Sequence, residues 1–188
     1  MTVTAVYDAN VLYPSLPRDL LIRAATKGAV RAKWSELILD EVFRNLILNR
    51  PDLKTESLTR TRALMNDAIR DSTVTGHEHL IDKLELPDPD DRHVLAAAIH
   101  AQAEVIVTFN LKDFPADALK PHGVIAQHPD VFLTDLFDTN SAIVADAVRA
   151  IAVASKNPPR TVAEIVARLD AGDLHTLARR LRTYFRAR

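Results

Sequence analysis

Between Leu86 and Pro115 the chain reads LPDPDDRHVLAAAIHAQAEVIVTFNLKDFP, an Ala-rich run of helical character that passes almost directly into the β-branched run EVIVTF. A helix delivered straight into a short apolar strand is half of a βαβ unit, and such units build parallel sheets covered by helices. The same stretch sets polar groups at both ends: Asp88, Asp90 and Asp91 precede the helix, and Asn110 and Asp113 follow the strand. That order constrains the fold more than any overall property of the chain.

The rest of the N-terminal part repeats the alternation. The run VTAVYD (3–8) is short, β-branched and aromatic, and predicts a buried strand that ends on Asp8, with Ala9 to Pro14 as a loop. Pro17 opens a predicted helix that Gly28 stops, and 29–34 predicts a second strand. Ser35 caps a patterned helix, SELILDEVFRNLILNR, with Leu39, Val42, Phe43, Leu46 and Ile47 on one face and Glu41 at its border. Pro51 ends that helix, and Thr55 caps the next, of about 16 residues and packed on one side only. A short strand at Val74, a helical turn from His79 to Leu84, a helix over 89–102, a strand over 104–109, a turn at 115–119 and a last strand over 123–126 complete the series.

Strands alternating with helices through short connections predict an α/β fold with a central parallel sheet and helices on both faces. Ligands of such sheets gather beyond the carboxyl ends of the strands, where Asp8 and the Asn110–Asp113 segment are both expected. After residue 128 the pattern is helical only: 130–137, 141–154, a KNPPR loop at 156–160, then 162–169 and 174–185. Two parts are therefore predicted, 1–128 and an all-helical extension over 129–188.

The chain has no cysteine, which removes disulfides, thiolate nucleophiles and Cys-based zinc sites. Any metal must rest on carboxylate, carbonyl or imidazole, and hard oxygen ligands favour Mg2+ or Mn2+. The net charge of -1 hides an asymmetry. From Arg149 onward nine Lys or Arg face three acids, a net +6, whereas residues 1–148 carry -7. An acidic body with a basic tail fits a metal site in the body and a phosphate-seeking or acidic-partner surface in the tail, although Arg-rich helix faces are also simply solvated. No apolar run approaches the roughly 20 residues that span a bilayer, and the first residues lack the basic-then-apolar order of a signal peptide, so a cytoplasmic protein is expected.

Each acid has a plain structural role available. Asp88-Pro89-Asp90-Asp91 is what a helix start requires: a capping Asp, Pro at the first helical position, and acids against the helix dipole. Asp8 suits an Asx turn with Asn10 close behind, Glu41 suits a solvated helix border, and Asp113 suits the cap of the turn that Pro115 begins.

The joint pattern reads differently from its members. A strand-terminal Asp, a mid-helix Glu, an Asp in the first turn of a helix, and an Asp after a strand ending in Thr-x-Asn follow the order of the PIN domain nucleases. The chain resembles that family at VTAVYDANVLYP (3–14), WSELILDEVFRNL (34–46), DPDDRHVLAAAI (88–99) and VIVTFNLKDFP (105–115), and within it the VapC-like toxins of bacterial toxin-antitoxin pairs. The resemblance covers about residues 1–128 and fades in the extension. It implies a three-layer α/β/α fold and a Mg2+- or Mn2+-dependent endoribonuclease that hydrolyses RNA phosphodiesters and leaves a 5′-phosphate. By position it implies Asp8, Glu41, Asp91 and Asp113 as catalytic, with Asp8, Asp91 and Asp113 on the metal. Asn10, Asp88 and Asn110 take supporting places. A cognate antitoxin protein and a homodimer are the implied partners. Basic side chains that would lead RNA to an acidic pocket are Arg44, Arg92, Lys112 and the tail.

Two other classes share parts of this pattern. A catalytically inactive PIN-like binding module would keep the acids as caps. A phosphatase of the haloacid dehalogenase type also starts on a strand-terminal Asp, but needs a second Asp where this chain has Asn10.

Overall fold

A computed structural model describes residues 2–187, so Arg188, counted above in the basic tail, lies outside the described residues. Five parallel strands form one sheet: β1 (Thr4–Tyr7), β2 (Arg31–Ser35), β3 (Thr73–Val74), β4 (Val105–Val107) and β5 (Ile125–Gln127). Their order is β3-β2-β1-β4-β5, with β1 at the centre. Ala5 pairs with Ala32 on one side and Val105 on the other, which places Tyr7 opposite Val107. β1 and β4 are buried throughout, as uniformly apolar central strands of a parallel sheet require.

Among the described residues ten α-helices surround the sheet: α1 (Ala9–Leu12), α2 (Ser15–Thr26), α3 (Glu36–Asn49), α4 (Thr55–Ala68), α5 (Glu78–Ile81), α6 (Arg92–His100), α7 (Ala116–Leu119), α8 (Pro129–Ala154), α9 (Val162–Ala171) and α10 (His175–Arg186). The predicted α/β/α layering is present. α6 lies across β1, β2 and β4 with α3 and α5 beside it. On α8, Phe132 meets the Tyr7 ring edge-on at 6.2 Å, and α8 also packs on α2. α2 ends as predicted at Gly28, whose φ of +80 permits the paired bonds Gly28 N–H to Ala25 C=O and Ala29 N–H to Ala24 C=O.

Three local expectations differ from the structure. Residues 9–12 form a helix rather than a loop, because the Asp8 carboxylate accepts from the Ala9 N–H and buries Val11 and Leu12 beneath it. Thr55 is the first helical residue rather than the cap, and Lys54 occupies the cap position without a side-chain bond. The segments 130–137 and 141–154 join into the single helix α8, kinked at Asn140, whose φ of -138 breaks the helical geometry where the pattern predicts a gap.

The C-terminal helices share the hydrophobic core of the sheet: Phe132, Val148, Leu169 and Leu181 belong to the same buried cluster as Tyr7 and Leu21. α10 has no side-chain cap of its own. Instead Asp130 at the start of α8 accepts from the Thr176 and Leu177 N–H groups at 3.0 and 2.9 Å. Truncating Asp130 to Ala leaves both amides without this partner and removes a charge that suits a helix start. A loss of about 1–2 kcal/mol in unfolding free energy is expected from denaturant titration. A midpoint equal to that of the parent would show that the contact contributes nothing.

Candidate active site

The carboxyl ends of β1 and β4 define the site. Asp8 follows β1 directly, and its N–H donates to Val107 C=O, which carries the ladder one residue past the strand. The side chain is 4% exposed, so its charge needs partners. Its Oδ1 accepts from the Ala9 N–H at 2.7 Å, and its Oδ2 accepts from the Thr108 hydroxyl and the Asn10 amide, both at 2.7 Å. Asn10 in turn accepts from the Phe109 N–H at 3.0 Å, and the Thr108 hydroxyl accepts from the Asn110 N–H at 3.0 Å. This net ties the end of β1 to the end of β4. Burial still dominates and pushes the Asp8 carboxyl up to about 6; the bonds from Thr108 and Ala9 oppose that rise, the Glu41 charge adds to it and His93 opposes it.

Asp91 stands at the start of α6, where a 3-10 turn over Pro89–Asp91 leads into the helix. Burial and then the charges of Asp8, Asp88, Asp113 and Glu41 raise its carboxyl to about 7. Five carboxylates from β1, α3, the α6 entry and the segment after β4 therefore converge on one place. Within it, Asp88, Asp91 and Asp113 each bring a carboxylate oxygen within 4.8 Å of the others. Asp88 serves two ends at once: its Oδ1 accepts from the Asp90 N–H at 2.9 Å as the predicted cap, and the carboxylate also joins this trio. Asp113 is held by the Asn110 side-chain amide. Glu41 faces His93, with Oε2 at 3.5 Å from Nε2.

The fold thus gathers all of the sequence-predicted acids, but divides them. Asp88, expected only as a helper, stands with Asp91 and Asp113, whereas Asp8 lies beside them with its carboxylate occupied by three donors. Two participants carry no signal of their own in the sequence. Thr108 reads there only as a strand end, yet its hydroxyl orients Asp8. His93, two residues beyond Asp91, reaches back to Glu41, and its Nδ1 is buried without a hydrogen-bond partner. Another cavity, about 890 Å3 and lined by Arg31, Lys33 and Arg70, opens at the far end of the sheet, away from these acids.

In the tail, Arg149 pairs with Asp146, Arg180 with Asp138 and Arg182 with Asp170, so part of the predicted basic surface is neutralised within the extension. Among the described residues no helix is long and apolar enough to cross a membrane.

A family model described as PIN domain matches residues 4–112, and one described as VapC50 C-terminal domain matches residues 129–183. The candidate ribonuclease VapC50 of Mycobacterium tuberculosis (strain ATCC 25618 / H37Rv) is 51% identical over 71 residues, which are 38% of this chain. The match spans 42% of that relative, less than half of its length. No solved structure matches the chain. The PIN domain match takes in β1, β4, Asp8, Glu41, Asp88 and Asp91, stops one residue before Asp113, and covers more than half of the sequence: the chain belongs to the PIN domain family.

Proposed function

We propose that this protein is a metal-dependent endoribonuclease, the toxin of a toxin-antitoxin pair, and that the carboxylate cluster is its active site. The convergence of Asp8, Glu41, Asp88 and Asp113 on Asp91 carries the reading. Asp91, partly buried and faced by four other carboxylates, is costly to keep ionised unless a cation neutralises the cluster. The donor set suits Mg2+ or Mn2+, since it offers carboxylate oxygen only. Asp88, Asp91 and Asp113 would hold the ion. Once bound, it would lower the pKa of a water and offset charge on the phosphodiester.

The chain's own groups supply the rest. Asp8, locked by Thr108, Asn10 and Ala9, keeps a fixed negative charge beside Asp91 and a place next to the ion. Glu41, about one third exposed and steadied by His93, can accept a proton from an attacking water. The named relative and the match of the extension to the VapC50 C-terminal domain support RNA as the substrate and an antitoxin as the natural inhibitor. A basic segment of that antitoxin would complement the acids, and a homodimer is the expected assembly.

The test is cleavage of total cellular RNA by the parent and by Asp8→Asn protein, with Mg2+ and with chelator. The parent should cut only with the ion, and the variant should lose on the order of 100-fold or more in rate while keeping its fold. Cleavage that ignores the chelator would remove the metal from the mechanism.

A further inference from the structure

The helical extension forms one wall of a cleft of about 540 Å3 just past the carboxyl end of β4. Phe109 comes from the end of β4, Leu16 and Pro17 from the start of α2, and Arg168 and Leu169 from the last turns of α9. The cleft is joined to the acids through two bonds: the Phe109 N–H donates to Asn10, and Asn10 donates to Asp8. Phe109 is half-buried and meets His128 edge-on at 5.1 Å, which steadies the ring. Arg168 is exposed and has no acidic partner among the described residues. Arg50, also in the lining, is already neutralised by Asp52 through two bonds of 2.8 and 2.6 Å, and Asp173 is drawn to His175 at 3.6 Å. Arg168 is thus the cation left for a ligand.

From these features we infer that the cleft between α9 and the end of β4 binds an unpaired nucleotide of single-stranded RNA next to the bond that is cut, its base against Phe109 and its phosphate on Arg168. The inference rests on the endoribonuclease reading of the carboxylate site. An aromatic face with apolar walls accepts any base by stacking, and one free guanidinium supplies the phosphate contact. The volume lies within the range of small-ligand sites. An acidic catalytic pocket repels the RNA backbone, so a cation held a short way along the strand offsets that repulsion. On this view the extension is part of the substrate site.

The experiment measures affinity for a short, fluorescent, single-stranded RNA in chelator, where the metal-dependent hydrolysis proposed above does not consume it, across a series of salt concentrations. Arg168→Glu should weaken binding by about tenfold and lower the salt slope by about one. Arg179→Glu, the same charge change at an exposed site outside the cleft, should have little effect. Phe109→Leu, which keeps an apolar side chain, should weaken binding by about fivefold or more through lost stacking. Crosslinks from 4-thiouridine RNA should map to Phe109 or to residues 168–174. If the parent binds RNA but Arg168→Glu binds equally well, or if Arg179→Glu is as damaging, the cleft does not hold RNA and a protein segment becomes its better occupant. A parent that neither binds nor cuts RNA overturns the endoribonuclease reading, and the cleft assignment falls with it.

Discussion

Asp91→Asn is expected to lower RNA cleavage by on the order of 1000-fold while making the metal-free protein more stable at pH 8. The two effects share one cause. Asp91 is partly buried and lies where the charges of Asp8, Asp88, Asp113 and Glu41 meet, so burial first and repulsion second disfavour its ionised form without a counter-ion. Asn removes the repulsion and keeps the side-chain shape, which relieves the folded state. It also removes one of three oxygen ligands from the trio with Asp88 and Asp113. Asp88→Asn makes a useful contrast, since Asn also caps helices and retains the bond to the Asp90 N–H. That variant should therefore lose activity with little change in stability. Rates come from a fluorogenic RNA, and stability from thermal melts in chelator. Parent-level cleavage by Asp91→Asn would remove the central ligand from the mechanism, and a lower melting temperature in chelator would mean that the acids do not repel as the geometry implies.

The metal-free protein should also lose stability as pH rises from 5 to 8, opposite to the trend that ordinary salt-bridged acids produce. Asp8 and Asp91 have folded pKa values of about 6 and about 7, against 3.8 for an unperturbed Asp. Each binds its proton more tightly when folded, so each favours folding at low pH and loses that contribution as pH climbs through its folded pKa. For buried Asp8 the full shift corresponds to about 3 kcal/mol, lost between pH 3.8 and about 6, so a little under half of it falls above pH 5. Asp91 is more exposed, and solvent screening reduces its share. His77, buried and lowered in pKa, acts the other way below its ordinary value of 6.5 and trims the gain at acid pH. The net expectation is a melting temperature on the order of 10 °C higher at pH 5 than at pH 8 in chelator. Saturating Mg2+ or Mn2+ should erase most of that difference, because an ion that binds only the folded cluster stabilises it by mass action. The same titration should release protons near pH 6.5, visible as a dependence of the calorimetric heat on the buffer. A melting temperature independent of both pH and ion would show that the acids are not coupled.

The fold was legible in the sequence wherever the signal is local. A change in hydrophobic period marks where helices give way to strands, and β1, β2, β4, α3 and α6 follow it closely. Caps were legible for the same reason: Ser35 accepts from the Ile38 N–H at 3.2 Å, and Asp88 from the Asp90 N–H. The four-residue helix α1 was missed because it is too short to show a period, and its cap is the same Asp8 that serves the site.

By itself, then, the sequence determined a parallel α/β sheet with acids at its strand ends, a helical extension, and the candidate acids Asp8, Glu41, Asp91 and Asp113. Only the tertiary structure decided how those acids divide. Thr108 lies 100 positions from Asp8 and still locks it, Glu41 meets His93 across two helices, and Asp88 turns out to stand with Asp91 and Asp113. The extension was legible as helices but not as a wall of the cleft: Asp130 caps a helix that begins more than 40 positions later, and Arg168 lines the same cleft as Phe109. Periodicity and capping act over one or two turns of chain, so they can be read from order alone. Charge, burial and hydrogen bonding act through space, and the winding of the sheet alone sets which distant residues they join.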